Sequence, residues 1–140
     1  MKKHILITAA CLALTACNQA ATPHPIIKAH VDAFNAKDVA TMAEFEHPDI
    51  EWFAINGGDM TLEISGRDAL SEMMKDYLKS NPNVTGTLRD WSINGNFVSV
   101  TETASWTTET GDEKSQSALA VYELEDDLIR RVWYYPAVVE

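Results

Sequence analysis

The stretch "INGNFVSVTETASWTT", residues 93–108, decides the fold. Asn94-Gly95 is the strongest short hairpin signal a sequence offers, because both residue types tolerate the backbone of a tight turn. Val98, Val100, Glu102, Ala104 and Trp106 then alternate with Ser99, Thr101, Thr103, Ser105 and Thr107. Successive strand side chains point to opposite faces, so a period of two this regular predicts a strand. One face is apolar except for Glu102, and the other is a ladder of hydroxyls. A carboxylate on an apolar face must be paired, hydrated or neutralised, which makes Glu102 the first candidate for function.

Residues 84–93, 114–124 and 128–136 are also rich in Thr, Val, Trp and Tyr and are set off by turn signals at Asn94-Gly95, Gly111-Asp112 and Asp126-Asp127. They complete an antiparallel meander. Upstream, Ile27, His30, Val31 and Phe34 recur at helical spacing over 25–35, and Asp38 is placed to cap a short helix carrying Val39, Met42 and Phe45. A short strand follows over 50–55, and another is expected over 60–64. Ser65-Gly66-Arg67-Asp68 has the form of a capping box and opens a helix with Leu70, Met73, Met74 and Tyr77 on one stripe. Helices followed by a meander define an α+β class.

Two-residue loops at the three turns fix a register. They set Arg89 opposite Val100, beside Glu102 on the diagonal. They set Glu109 opposite Lys114, Glu102 opposite Val121, Glu123 opposite Arg130, and Leu119 opposite Tyr134. The expected concave face holds Arg89, Trp91, Val98, Val100, Glu102, Ala104, Trp106, Leu119, Val121, Val132 and Tyr134. Ala118, Ala120, Tyr122, Trp133 and Tyr135 fall on the other face. A one-residue slip inverts every such assignment.

The segments "FNAKD" (34–38), "HPDIEW" (47–52), "GRDAL" (66–70), "INGNFVSV" (93–100) and "DDLIRRVWYY" (126–135) occur in an order and spacing that resemble the nuclear-transport-factor-two-like superfamily, and its SnoaL-like branch in particular. The resemblance covers roughly residues 25–137. It implies a cone-shaped, curved antiparallel sheet wrapped around three N-terminal helices, with an internal pocket, and a homodimer formed through the outer side of the sheet. It also places His47 at the pocket mouth. The catalytic positions of ketosteroid isomerase, a distant relative, fall near Phe53, Ile27 and Leu119. All three are apolar here, so steroid-type isomerisation is not expected. Positions on the final strand that carry acids or histidines in related cyclases read Val132 and Tyr134.

Two functions from different classes fit these residues. One is a non-catalytic pocket for a small, partly apolar ligand, lined by Phe34, Trp52, Trp91, Trp106 and Tyr134, whose rings suit a flat molecule. The other is a small lyase, isomerase or hydrolase with Glu102, Arg89 and His47 as its catalytic residues. Arg89 is equally suited to hold an anionic group or to form a structural ion pair with Glu102. The scattered histidines suggest no metal site, and no cofactor is expected.

The chain opens with Lys2-Lys3, an apolar run over 5–16, and Leu14-Thr15-Ala16-Cys17. Twelve apolar residues fall short of the about 20 that span a bilayer core as a helix and suit a secretory leader. The four residues 14–17 resemble a bacterial lipobox, which implies cleavage before Cys17 and acylation of that cysteine. Three segments follow: a leader over 1–16, a lipidated cysteine and tether over 17–24, and the domain over 25–140. Asn18 after the cysteine favours the periplasmic face of the outer membrane. More than one acyl chain holds a protein firmly to the bilayer. Beyond Lys2 and Lys3, nine basic residues face twenty-one acidic ones, a balance unsuited to nucleic acid.

Overall fold

The computed structural model describes residues 22–139. The leader, Cys17 and residues 18–21 of the tether lie outside the described residues. Helix α1 spans Pro25–Asn35 and α2 Val39–Glu44. Strands β1 (Glu46–Asn56) and β2 (Asp59–Ser65) precede helix α3 (Arg67–Ser80). Strands β3 (Thr85–Asn94), β4 (Phe97–Thr107), β5 (Glu113–Glu125) and β6 (Leu128–Tyr134) form the meander, and β7 (Val138–Val139) pairs with β5. The sheet order is β2-β1-β6-β5-β4-β3. Its pairs are antiparallel except β1–β6, which is parallel because the chain crosses through α3 and the far strands before β6 returns beside β1. The fold is α+β, a curved, mainly antiparallel sheet with three helices from the N-terminal half.

Local chemistry explains the helix ends. Pro25 opens α1, where its missing N–H costs nothing. The Asp38 carboxylate accepts from the Thr41 backbone N–H and caps α2. The Ser65–Asp68 capping box does not form: α3 has Gly66 at its N-cap without a side-chain cap, and the Gly66 N–H donates instead to Ile50 O on β1. The core gathers Ile27, Ile50, Leu70, Val98, Val100 and Ile129, each at most 1 % exposed. Burying a side chain of this size stabilises by roughly 1.5–3 kcal/mol.

The registers depart from the two-residue-loop expectation in ways that decide the site. The first hairpin closes at Asn94–Phe97, with Gly95 at φ +59 in the loop. This is a two-residue shift, and it leaves the faces near the turn unchanged. A bulge at Asp90–Trp91 then flips the parity: Leu88, not Thr87, lies opposite Glu102, and Arg89 lies opposite Thr101 on the hydroxyl face. The second hairpin has a five-residue loop, 108–112, held by Thr108, Thr110 and Asp112 side chains. Glu102 therefore pairs with Ala118, and Lys114 sits opposite Trp106 rather than Glu109. This odd shift turns Ala118, Ala120 and Tyr122 inward and Leu119 and Val121 outward. A second bulge, at Glu123–Leu124, returns Val132 and Tyr134 to the inner face.

Candidate functional site

A cavity of about 340 Å³ lies between the helices and the inner face of the sheet. Phe34 from α1 and Met73, Met74 and Tyr77 from α3 form one wall; Trp52, Leu88, Ala104, Ala118 and Tyr134 form the sheet side. Phe34 and Tyr77 stack at 6.3 Å, and Trp52 stacks on Tyr134 at 4.8 Å and 20°. Two features shape the space. Ala104 and Ala118 are small residues at inward positions. Gly86 lets α1 approach β3 closely, since a Cβ there would lie 3.3 Å from the Val31 side chain and 3.6 Å from Phe34. Asn35 fixes that approach from both sides: its amide donates to Gly86 O at 2.9 Å, and Gly86 N–H donates to its oxygen at 2.7 Å.

Glu102 is the polar centre of this cavity. Tyr134 donates to one carboxylate oxygen at 2.8 Å and Tyr122 donates to the other. The two phenol oxygens are 3.2 Å apart. By surface area Glu102 is only half-buried, because its carboxyl borders the cavity. Burial pushes the Glu102 carboxyl above the usual carboxylate range, and the hydrogen bonds from Tyr122 and Tyr134 pull it back without cancelling that rise. Burial beside this carboxyl also drives both phenols well above their ordinary value. The cluster is therefore a carboxyl that holds its proton more tightly than usual, clasped by two phenols that keep theirs.

A second polar pair borders the same space. His30 on α1 lines the cavity, and its Nε2 lies 2.8 Å from Glu46 Oε1 at the start of β1. The residues are 8 % and 1 % exposed. His30 Nδ1 and Glu46 Oε2 are buried without hydrogen-bond partners.

Of the residues singled out from sequence, Glu102, Phe34, Trp52 and Tyr134 meet at this cavity. Arg89 does not: the bulge turns it outward, where it pairs with Asp90 at 2.7 Å and is exposed. Trp91 packs against the core outside the cavity lining, and Trp106 lies past Ala104 near the end of β4, also outside it. His47 stays on β1 away from the cavity, its Nδ1 accepting from the Asp49 backbone N–H at 3.0 Å. Glu123 pairs with Arg131 rather than Arg130, and Arg130 reaches Glu51 and Glu125. Tyr122 and His30 were missed. "ALAVY", residues 118–122, carried a signal for the first: alternating alanines leading to a tyrosine mark the face that leaves room, whereas a packed outer face needs bulk. Among the described residues no group of three or more His, Cys, Asp or Glu is placed to hold a metal.

Residues 27–132 match the SnoaL-like domain family, and the chain belongs to it. An uncharacterised cystatin-fold protein from Novosphingobium aromaticivorans is 23 % identical, covers 78 % of this chain and 93 % of its own, and superposes with a TM-score of 0.66. IdmH, a putative polyketide cyclase from Streptomyces antibioticus, is 19 % identical over 82 % of this chain and 89 % of its own, with a TM-score of 0.67. A putative polyketide cyclase from Xanthomonas campestris is 22 % identical over 79 % and 87 %, with a TM-score of 0.58. At these identities the likeness is one of fold. No curated protein matches the chain.

Proposed function

We propose that this domain is a binding module whose cavity takes a small, flat, largely apolar molecule and sets one polar group of it against the Glu102 carboxyl. The observation that carries the reading is the cavity itself: aromatic and methionine walls around a single clasped carboxyl. Apolar walls supply affinity, and a few fixed polar groups supply orientation. Removing Arg89 from the cavity narrows the ligand. Among the described residues no arginine or lysine lines this space, so a carboxylate or phosphate has no permanent cation to meet and a neutral molecule is favoured. Titrating the protein with 2-naphthol while following tryptophan fluorescence tests this, because Trp52 is in the wall. Saturable quenching that Ala104→Phe abolishes is expected; quenching that persists in that variant places binding elsewhere and removes the proposal.

The setting is proposed with it. Acylated Cys17 would hold the domain on the periplasmic face of the outer membrane, and no helix among the described residues is long and apolar enough to cross a bilayer by itself. Cys17→Ser is expected to move the protein to the soluble fraction, with loss of palmitate labelling. The outer face of the sheet carries Phe53, Phe97 and Trp133 in ring contact, with Leu119 close by in the strand order. An apolar patch of this kind supports a homodimer through that face.

A second reading is favoured by one observation, the raised affinity of Glu102 for its proton. A carboxyl raised in this way suits general acid or base work, and the Streptomyces antibioticus and Xanthomonas campestris neighbours are described as putative polyketide cyclases. In this reading Tyr122 and Tyr134, not Arg89, are the partners of Glu102. Glu102→Gln separates the two readings: a catalyst loses turnover, whereas a binding module keeps its ligand.

A further inference from the structure

We infer that the ligand group set against Glu102 is a hydrogen-bond donor, a hydroxyl or N–H, because Glu102, Tyr122 and Tyr134 form a closed cluster that accepts from the cavity and has no proton to give it. This rests on the reading of the cavity as a ligand site and narrows the ligand class: phenols, alcohols and amines fit the polar centre, and ketones and ethers do not.

Protons and contacts balance within the cluster. Tyr134 meets one carboxyl oxygen at 2.8 Å, Tyr122 meets the other, and the two phenol oxygens lie 3.2 Å apart, which makes three contacts in a ring. With Glu102 protonated, the three groups carry one hydroxyl proton each. These run head to tail around the ring, from the carboxyl to Tyr134, from Tyr134 to Tyr122, and from Tyr122 to the second carboxyl oxygen. With Glu102 ionised, two protons remain, and both phenols give theirs to the carboxylate. Either state uses every proton inside the cluster, so the conclusion does not depend on the charge of Glu102. Either state also leaves lone pairs, because carboxyl and phenol oxygens each accept more than one bond. All three residues line the cavity. A carbonyl or ether brought here would set its lone pairs against those of the cluster. A phenol could serve it only by leaving the carboxyl, at the cost of an unpaired polar atom. The nearby histidine supplies no substitute: His30 Nε2 is engaged with Glu46 at 2.8 Å, and Nδ1 is shielded from cavity and solvent alike.

The test compares, by calorimetry at pH 4, 2-naphthol, which donates, with 2-methoxynaphthalene, which only accepts, and with 2-ethylnaphthalene, which matches the ether in shape and does neither. At this pH a carboxyl with a raised pKa holds its proton. Wild-type protein is expected to prefer 2-naphthol to the ether by about tenfold, the worth of one hydrogen bond at a buried site. Tyr134→Phe leaves two protons and one contact, so one proton turns to the cavity. The ether is then expected to gain about tenfold while 2-ethylnaphthalene does not; Tyr122→Phe, by the same count, gives the same result should the first variant fail to fold. A wild type that takes the ether as well as 2-naphthol, or a variant in which the ether and 2-ethylnaphthalene gain alike or not at all, overturns the closed cluster and leaves the cavity reading standing. If none of the three compounds binds the wild type, the cavity reading falls and takes this one with it.

Discussion

Glu102 faces the cavity because strand β4 alternates without interruption, and its ionisation should be visible in the stability of the fold. Its carboxyl binds a proton more tightly in the folded chain than in the unfolded one. Where the folded state holds more protons, stability falls as pH rises. Glu102 therefore contributes fully below the ordinary carboxyl range, and that contribution is lost as pH climbs through its raised folded value. Glu102→Gln cannot ionise and still accepts from a tyrosine. Thermal melts from pH 4 upward should show the variant gaining on the wild type as pH rises; parallel curves would contradict the burial of this carboxyl. Tyr134→Phe removes one of the two bonds that favour the charged form, so the pH at which the wild-type melts decline should move up, and a downward move would contradict the clasp. At this scale the sequence was legible for Glu102, whose charge broke an apolar face. It was not legible for Arg89, because a side chain next to a bulge has no local mark of which way it turns.

Among the elements, β3 and β5 set the cavity. The β3 bulge holds Asp90 at φ +58, a left-handed conformation that aspartate tolerates and β-branched residues avoid. Asp90→Val should cost about 1–2 kcal/mol in urea unfolding, and an unchanged midpoint would show that the bulge relaxes without penalty. Gly86→Val places branched carbons against Val31 and Phe34 and should cost about 1–3 kcal/mol by overpacking; a stability equal to the wild type would mean that α1 is not held close to β3. The strands themselves were legible: β-branched and aromatic runs end at turn residues close to where the strands end, and α1 runs over 25–35 as its apolar spacing predicts. Registers were not, because loop length and bulges set them. The loop after β4 was read as two residues from Gly111-Asp112, but Thr108 and Asp112 close a wider turn through their own hydrogen bonds. Two parity errors then cancelled on β6, so Val132 and Tyr134 came out inward while Tyr122 did not.

Taken whole, the molecule presents two unlike faces of one sheet. The inner face is hollowed at Ala104 and Ala118 and holds the clasped carboxyl. The outer face carries the ring cluster at Phe53, Phe97 and Trp133, with Phe97 49 % and Leu119 45 % exposed. If two copies meet there, Phe97→Lys together with Leu119→Lys should convert the protein from twice the chain mass to a single chain in sedimentation equilibrium, and a wild type that already sediments as one chain would contradict the proposed dimer. The class of fold was open to sequence because order and spacing of short motifs survive where identity does not; the contents of the cavity were not, since they depend on which strand neighbours converge. The central claim, that the hollow exists to hold a small molecule, is tested most directly by native mass spectrometry of the protein purified from the cells that make it. The account predicts one small, neutral adduct per chain that is absent from Ala104→Phe; a wild type and a variant carrying identical adducts, or none in either, would contradict it.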